Sequence, residues 1–188
     1  MGAKISELGL GVKIIEPDYF EDFRGYYCET YSKRTFESIG IKYNFVQDNH
    51  SFSLKKGIIR GIHFQNNPYP QVKLVRCVAG KVLDFAVDLR FDSPTFKKWV
   101  SVELSKENRK QILIPSGFGH AFITLTDSCE VLYKVDNLYE PSLDRAIRYD
   151  DPDININWGI EHPIISIKDT KAPYLKDSDC NFSIKVNK

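Results

Sequence analysis

The stretch Lys81-Val82-Leu83-Asp84-Phe85-Ala86-Val87-Asp88-Leu89 alternates over its whole length, the pattern of an extended strand with two distinct faces. One face carries Leu83, Phe85, Val87 and Leu89; the other carries Val82, Asp84, Ala86 and Asp88. Acids on the second face of an otherwise apolar strand are costly inside packed hydrocarbon. They suit the lining of a polar cavity better.

β-branched and aromatic residues are dense along the rest of the chain, and glycines and prolines interrupt them at short intervals. Further strands are predicted at 12–15, 26–31, 45–52, 57–64, 71–78, 98–104, 111–114, 119–125 and 129–135. Val78-Ala79-Gly80-Lys81 and Thr126-Asp127-Ser128 read as tight connections between paired strands. Helix signals are few: Ser32 is placed to cap a short helix over residues 33–39, with Gly40 ending it. About ten strands with little helix imply an all-β sandwich or barrel, most simply a jelly roll. The 188 residues, 42% hydrophobic and 13% aromatic, supply the core of a single domain. Its body is expected at about residues 12–155, with 156–188 as a C-terminal extension packed on the barrel.

Lys+Arg number 26 and Asp+Glu 25, a net charge of +1 that makes no electrostatic case for nucleic acid or an anionic membrane. No apolar run approaches the ~20 residues of a membrane span. The first twelve residues include Lys4 and Glu7 and lack a signal peptide's apolar block. Cys28, Cys77, Cys129 and Cys180 are widely spaced without a C-x-x-C and read as buried reduced thiols. A soluble cytoplasmic protein is expected.

Chemistry concentrates in Gly57-Ile58-Ile59-Arg60-Gly61-Ile62-His63-Phe64-Gln65. A histidine in an apolar strand is either a satisfied core residue or a base titrating near neutral pH, and the residues alone leave both readings open. Strict alternation sets Arg60 and His63 on opposite faces; both line one cavity only if Gly61 sits in a bulge or the strand ends there. Lys73 by itself reads as a solvated strand lysine, and Tyr133 as a core tyrosine with its hydroxyl satisfied. His120 follows a glycine-rich turn of the kind that brings backbone near a ligand. A metal cupin would need a His-x-His pair, but position 61 is Gly, and His50, His63, His120 and His162 are scattered. No G-x-S-x-G elbow, P-loop or dinucleotide fingerprint is present.

In order along the chain stand Phe20-Glu21-Asp22-Phe23-Arg24-Gly25 with Glu29, then Val46-Gln47-Asp48-Asn49-His50-Ser51, then Arg60-Gly61-Ile62-His63-Phe64-Gln65. Gln71-Val72-Lys73-Leu74-Val75, Val87-Asp88-Leu89-Arg90 and Ser93-Pro94-Thr95-Phe96 follow. The series closes with Pro115-Ser116-Gly117-Phe118-Gly119-His120-Ala121-Phe122, Tyr133-Lys134 with Tyr139, and Ser166-Ile167-Lys168-Asp169. From about Val12 to Leu175 this order resembles the dTDP-4-dehydrorhamnose 3,5-epimerases, cupin jelly rolls that work without a metal.

The resemblance implies that His63 is the base, Asp169 its carboxylate partner, Lys73 the cation beside the substrate's C4 oxygen and Tyr133 the acid on the opposite face. Arg24, Glu29, Gln47, Asp48, Asn49, Arg60, His120, Asp144 and Lys168, together with Lys73, match substrate-contacting positions, and Tyr139 matches the aromatic that stacks on the thymine. No metal, nicotinamide or flavin is implied. A homodimer is, in which one subunit's N-terminal region helps build the other's site. Ala121 stands where Gly is usual and Asp144 where Glu is usual. The added methyl is expected to tighten the pocket beside His120. Both departures leave open a C3-only or C5-only epimerase or another nucleotide 4-ketosugar as substrate, and a non-catalytic sugar-nucleotide-binding cupin remains a further alternative.

Overall fold

The computed structural model describes residues 1–185 and consists mainly of strands stacked as two sheets. The first sheet runs β1 (Ala3–Gly9), β2 (Val12–Pro17), β10 (Gln111–Ile114), β7 (Lys73–Ala79), β12 (Cys129–Val135), β5 (Gln47–Ser53). The second runs β13 (Asp144–Ala146), β6 (Ile58–Gln65), β11 (Phe118–Thr124), β8 (Lys81–Asp88), β9 (Trp99–Ser105). A two-residue strand, β14 (Ile164–Ile165), lies parallel to the start of β6. This is the all-β, jelly-roll type of sandwich expected of the cupins.

Three apolar layers follow from strand alternation. Between the sheets, Val75, Cys77, Ile112 and Ile114 of the first meet Val82, Ala86, Leu104 and Phe122 of the second. The outer side of the second sheet (Ile59, Ile62, Phe64, Phe85, Val87, Ile123) is covered by the chain beyond β13, through Ile147, Ile154, Ile156, Trp158, Leu175 and Phe182. The outer side of the first sheet is partly covered by α1 (Lys33–Ser38), whose Phe36 packs with Ile15, Leu74 and Leu113. Ser32 caps that helix as anticipated, its hydroxyl accepting the Thr35 N–H.

Two sequence expectations need correction. Val78–Lys81 and Thr126–Ser128 do not join paired strands: each carries the chain from one sheet to the other, β7 to β8 and β11 to β12. A short, turn-like sequence reports a reversal of direction, not the sheet in which the next strand pairs. Asp84 and Asp88 share a face, but neither lines the cavity: Asp84 is fully buried against His120, and Asp88 lies farther along the strand. At the end of β8 it is enclosed by Arg90, Ser93 and Thr95, which bond its carboxylate at 2.6–2.8 Å.

Outside both sheets projects a ribbon of β3 (Tyr19–Asp22) and β4 (Gly25–Cys28). It is fixed at its base by Arg109, whose guanidinium lies 4.1 and 4.0 Å from the Tyr19 and Tyr26 ring centroids and pairs with Glu21 at 2.7 Å. Phe20, Phe23 and Tyr27 are exposed on it, Phe23 almost completely, at 98%.

Candidate active site

Both sheets contribute walls to one cavity of about 260 Å³. β6 brings Arg60, His63 and Gln65, β11 brings His120 and Phe122, and β13 brings Asp144. From the first sheet come Lys73 of β7, Tyr133 of β12 and Ser51 of β5.

Arg60 and His63 reach the same cavity because β6 carries a bulge. Its pairing to β11 passes from His63↔His120 to Arg60↔Phe122, so three steps on β6 oppose two on β11. Gly61 absorbs the surplus at φ +125°, and a Cβ there would lie 2.5 Å from the Ala121 Cβ and 2.6 Å from the His120 carbonyl oxygen. The same contact corrects the expectation for Ala121. Its methyl packs on Gly61 in the outer layer and does not narrow the pocket.

His63 Nε2 lies 2.7 Å from Asp169 Oδ1; the imidazole is 35% exposed and the carboxylate 4%. β14 carries the chain to β6, and α2 (Ile167–Thr170) follows at once, with Ser166 as its cap accepting the Asp169 N–H at 3.0 Å. Burial pushes the Asp169 carboxyl up, but the His63 contact, the Ser166 hydroxyl and the Gly61 N–H together outweigh it and hold the group below its ordinary value. An ionised carboxylate can only accept, so Nε2 carries the proton and Nδ1 is left as the basic nitrogen.

Across the cavity, burial raises the Tyr133 phenol; Asp144 raises it further and Arg60 opposes, so the hydroxyl stays protonated at neutral pH. The Tyr133 hydroxyl has no protein hydrogen-bond partner among the described residues, unlike a satisfied core tyrosine. Lys73 is buried, with Nζ 5.9 Å from the Tyr133 ring centroid. Burial drives its ammonium down to about 8, against the pull of Asp144 and Asp84. His120 Nε2 contacts the fully buried Asp84 at 2.9 and 3.1 Å.

The remaining sequence candidates divide. Asp144 pairs with Lys168 at 2.6 Å, and the Tyr139 hydroxyl lies 3.4 Å from the same oxygen. Gln47 accepts the Tyr139 N–H at 2.9 Å and donates to Asn49 at 2.8 Å. Tyr139 also borders a second recess of about 430 Å³ with Val46, Tyr69 and Leu138, and so lines both hollows. Three residues lie apart. Arg24 sits on the ribbon paired with Asp22, Glu29 accepts from the Thr35 hydroxyl, and Asp48 turns outward to Lys134.

Sequence reasoning gave Asp84 no partner beyond a polar cavity, and gave no site role to Gln65 or Ser166. Gln65 is buried and ties together the recess loops, donating to the Tyr69 and Leu138 carbonyls and accepting the Glu140 N–H. A glutamine two residues after His63 was the available signal; for Asp84 it was an acid on an apolar strand.

A jelly-roll sandwich whose second sheet brings an imidazole–carboxylate pair to a cavity, with a phenol and an ammonium on the first sheet across from it, is a cupin-class fold with groups suited to acid–base chemistry. The family model for dTDP-4-dehydrorhamnose 3,5-epimerase matches residues 9–177. The Shigella flexneri dTDP-4-dehydrorhamnose 3,5-epimerase is 48% identical over 169 residues, covering 89% of this chain and 93% of that protein. The Bacillus anthracis enzyme of that name, solved with TDP and PPi bound, superposes with a TM-score of 0.89 at 42% identity, covering 92% of this chain and 99% of the other. A Legionella pneumophila dTDP-6-deoxy-D-glucose-3,5-epimerase, solved with dTDP-4-keto-L-rhamnose, gives 0.88 at 42% identity, covering 94% and 95%. This chain belongs to the dTDP-4-dehydrorhamnose 3,5-epimerase family.

Proposed function

We propose that this protein epimerises dTDP-4-dehydro-6-deoxy-D-glucose at C3 and C5, giving dTDP-4-dehydro-L-rhamnose for dTDP-L-rhamnose synthesis. The carrying observation is His63 and Tyr133 on opposite walls of one cavity with Lys73 buried beside them. Carbons flanking a ketone are acidic because the departing pair spreads onto the carbonyl oxygen. His63 takes that proton, and Asp169 stabilises the imidazolium that forms. Charge growing on the C4 oxygen is met by the Lys73 ammonium; losing one such donor typically costs about 10²–10³ in rate. Tyr133 then returns a proton from the other side. Inversion needs two groups on opposite faces, since a single base hands the proton back where it came from.

Two hollows that share Tyr139 in their walls suit a nucleotide sugar, with the hexose among the polar walls and the thymine in the recess against Tyr139. Arg60 and Lys168 are cations at the cavity and its edge, suited to a diphosphate. The exposed aromatic ribbon carrying Arg24 supports a homodimer in which that ribbon reaches the partner's site. Such a two-chain site would account for Arg24 and Glu29 lying away from their own cavity. Among the described residues no helix is long and apolar enough to cross a membrane. We read the protein as a cytoplasmic enzyme supplying a cell-surface polysaccharide precursor.

The test is incubation with dTDP-4-dehydro-6-deoxy-D-glucose in heavy water, followed by NMR of the ring protons. Deuterium is expected at both C3 and C5, and His63→Asn should slow its entry by about 10⁴. Label at one carbon only would reduce the reading to a mono-epimerase; undiminished label in His63→Asn would remove the proposed base.

A further inference from the structure

Gln65 stands two residues after His63 on the same face of β6, and both residues border the cavity. An amide side chain in a sugar pocket ordinarily bonds the ligand. This one is occupied elsewhere. It is 3% exposed, and its polar atoms are bonded to the protein. Nε2 donates to the Tyr69 carbonyl at 2.5 Å and to the Leu138 carbonyl at 3.1 Å, and Oε1 accepts the Glu140 N–H at 2.9 Å. Two carbonyls demand the nitrogen and one N–H demands the oxygen, so the partners fix which way the amide faces. Both of its hydrogens are used, which leaves no donor for a substrate.

The three partners belong to the two loops that form the recess: residues 66–72, which carry Tyr69, and residues 136–143, which carry Leu138 and Tyr139. Further bonds run from loop to loop. Gln71 Nε2 donates to the Asn137 carbonyl at 2.9 Å, Asn137 Nδ2 to the Pro70 carbonyl at 2.6 Å, and Asp136 accepts the Val72 N–H at 2.7 Å. These hold the loops to each other and not to β6. Among the described residues, Gln65 is the β6 side chain bonded to both loops, and it grips the residues on either side of Tyr139. A ligand whose base lies against Tyr139 and whose ketone lies at His63 spans the separation that this one amide sets.

We propose that Gln65 is a positioning residue for the nucleotide: it holds the recess at a set distance from His63, so that base recognition and proton transfer act on one ligand at once. This rests on the epimerase reading of the site. The bonds themselves belong to the free protein.

Gln65→Leu keeps most of the volume and removes all three bonds. With dTDP-4-dehydro-6-deoxy-D-glucose, KM is expected to rise about tenfold, the scale of one lost base-stacking contact, while kcat changes by less than about threefold. Calorimetric affinity for dTDP should fall by the same factor; affinity for pyrophosphate, which has no base, should hold. In a Tyr139→Ala background, Gln65→Leu should add less than about twofold, because the wall it places is already missing. A fall in kcat with KM intact, an equal weakening of pyrophosphate, or the full effect repeated on top of Tyr139→Ala overturns the proposal in favour of an amide that only stabilises the fold. If Gln65→Leu does not fold, wild-type protein carries the test. There dTDP should slow solvent exchange of the Gln65 side-chain amide protons by about threefold or more and pyrophosphate should not; equal rates with and without dTDP overturn the proposal. Wild-type protein that binds dTDP yet exchanges no substrate proton would strike the epimerase reading alone, because the binding measurements need no turnover.

Discussion

His63–Asp169 and His120–Asp84 are the same two functional groups at nearly the same separation, 2.7 and 2.9 Å, within one cavity wall. They differ in what surrounds them. The His63 imidazole is 35% exposed and its carboxylate hangs from a capped helical turn with hydrogen-bond donors of its own. His120 is 8% exposed, and Asp84 has neither solvent nor a backbone N–H to offset burial. Solvation and hydrogen bonding thus drive the carboxyls in opposite directions: Asp169 is held low, Asp84 pushed high. An open imidazole backed by a firmly ionised acid can accept a substrate proton.

Opposite shifts give the two acids opposite effects on stability. A carboxyl lowered in the folded state stabilises above its unfolded value of about 3.9, and that contribution is lost as pH falls through the lowered value. Asp169 is of this kind. A carboxyl raised by burial costs stability as pH rises above that same unfolded value, and Asp84 is of this kind. The largest expected contrast therefore comes from matched substitutions. Asp169→Asn should cut turnover by about 10² or more and lower Tm at pH 7, with the Tm gap closing on acidification. Asp84→Asn should leave Tm at pH 7 unchanged or higher. Thermal melts across pH 3–8, alongside initial rates, decide it; equal Tm losses for both variants would erase the distinction.

A smaller effect is expected at the bulge that aims His63 into the cavity. Gly61→Ala must accommodate both the positive φ and the Ala121 contact, a cost of about 1–3 kcal/mol. Relief of that strain would shift His63 from its place in the cavity, so deuterium exchange should fall with it. The smallest change is Ser166→Ala, which removes the cap beneath Asp169 and costs about 1 kcal/mol with a several-fold loss of rate. Chemical denaturation and steady-state kinetics read both.

How much of this was legible beforehand follows from the range of each signal. Alternation marks strands locally, so β8, β10 and β12 appeared at or near their true bounds, and the condition for joining Arg60 to His63, a bulge at Gly61, could be written from spacing alone. Sheet membership is not local, which is why the two short connections were misread as hairpins. β13 and β14 have three and two residues, too short for any period to register. β1, at an edge with Lys4, Ser6 and Glu7, shows little apolar alternation. Asp84 stood out as an anomaly without a partner, because its contact to His120 depends on a register that no single strand contains. The pairing of His63 with Asp169 spans 106 positions and rested on family likeness until the fold joined them.

That separation sets an order of events at the ribosome. Strands as far as β13 can close the sandwich around an imidazole whose counterpart has not yet been synthesised. The proposed base meets its carboxylate late, when Ile164–Ile165 docks beside Ile58–Ile59 and the next turn brings Asp169 to His63. A chain that stops short of that turn would lack not only Asp169 but also Leu175 and Phe182 of the layer that covers the second sheet.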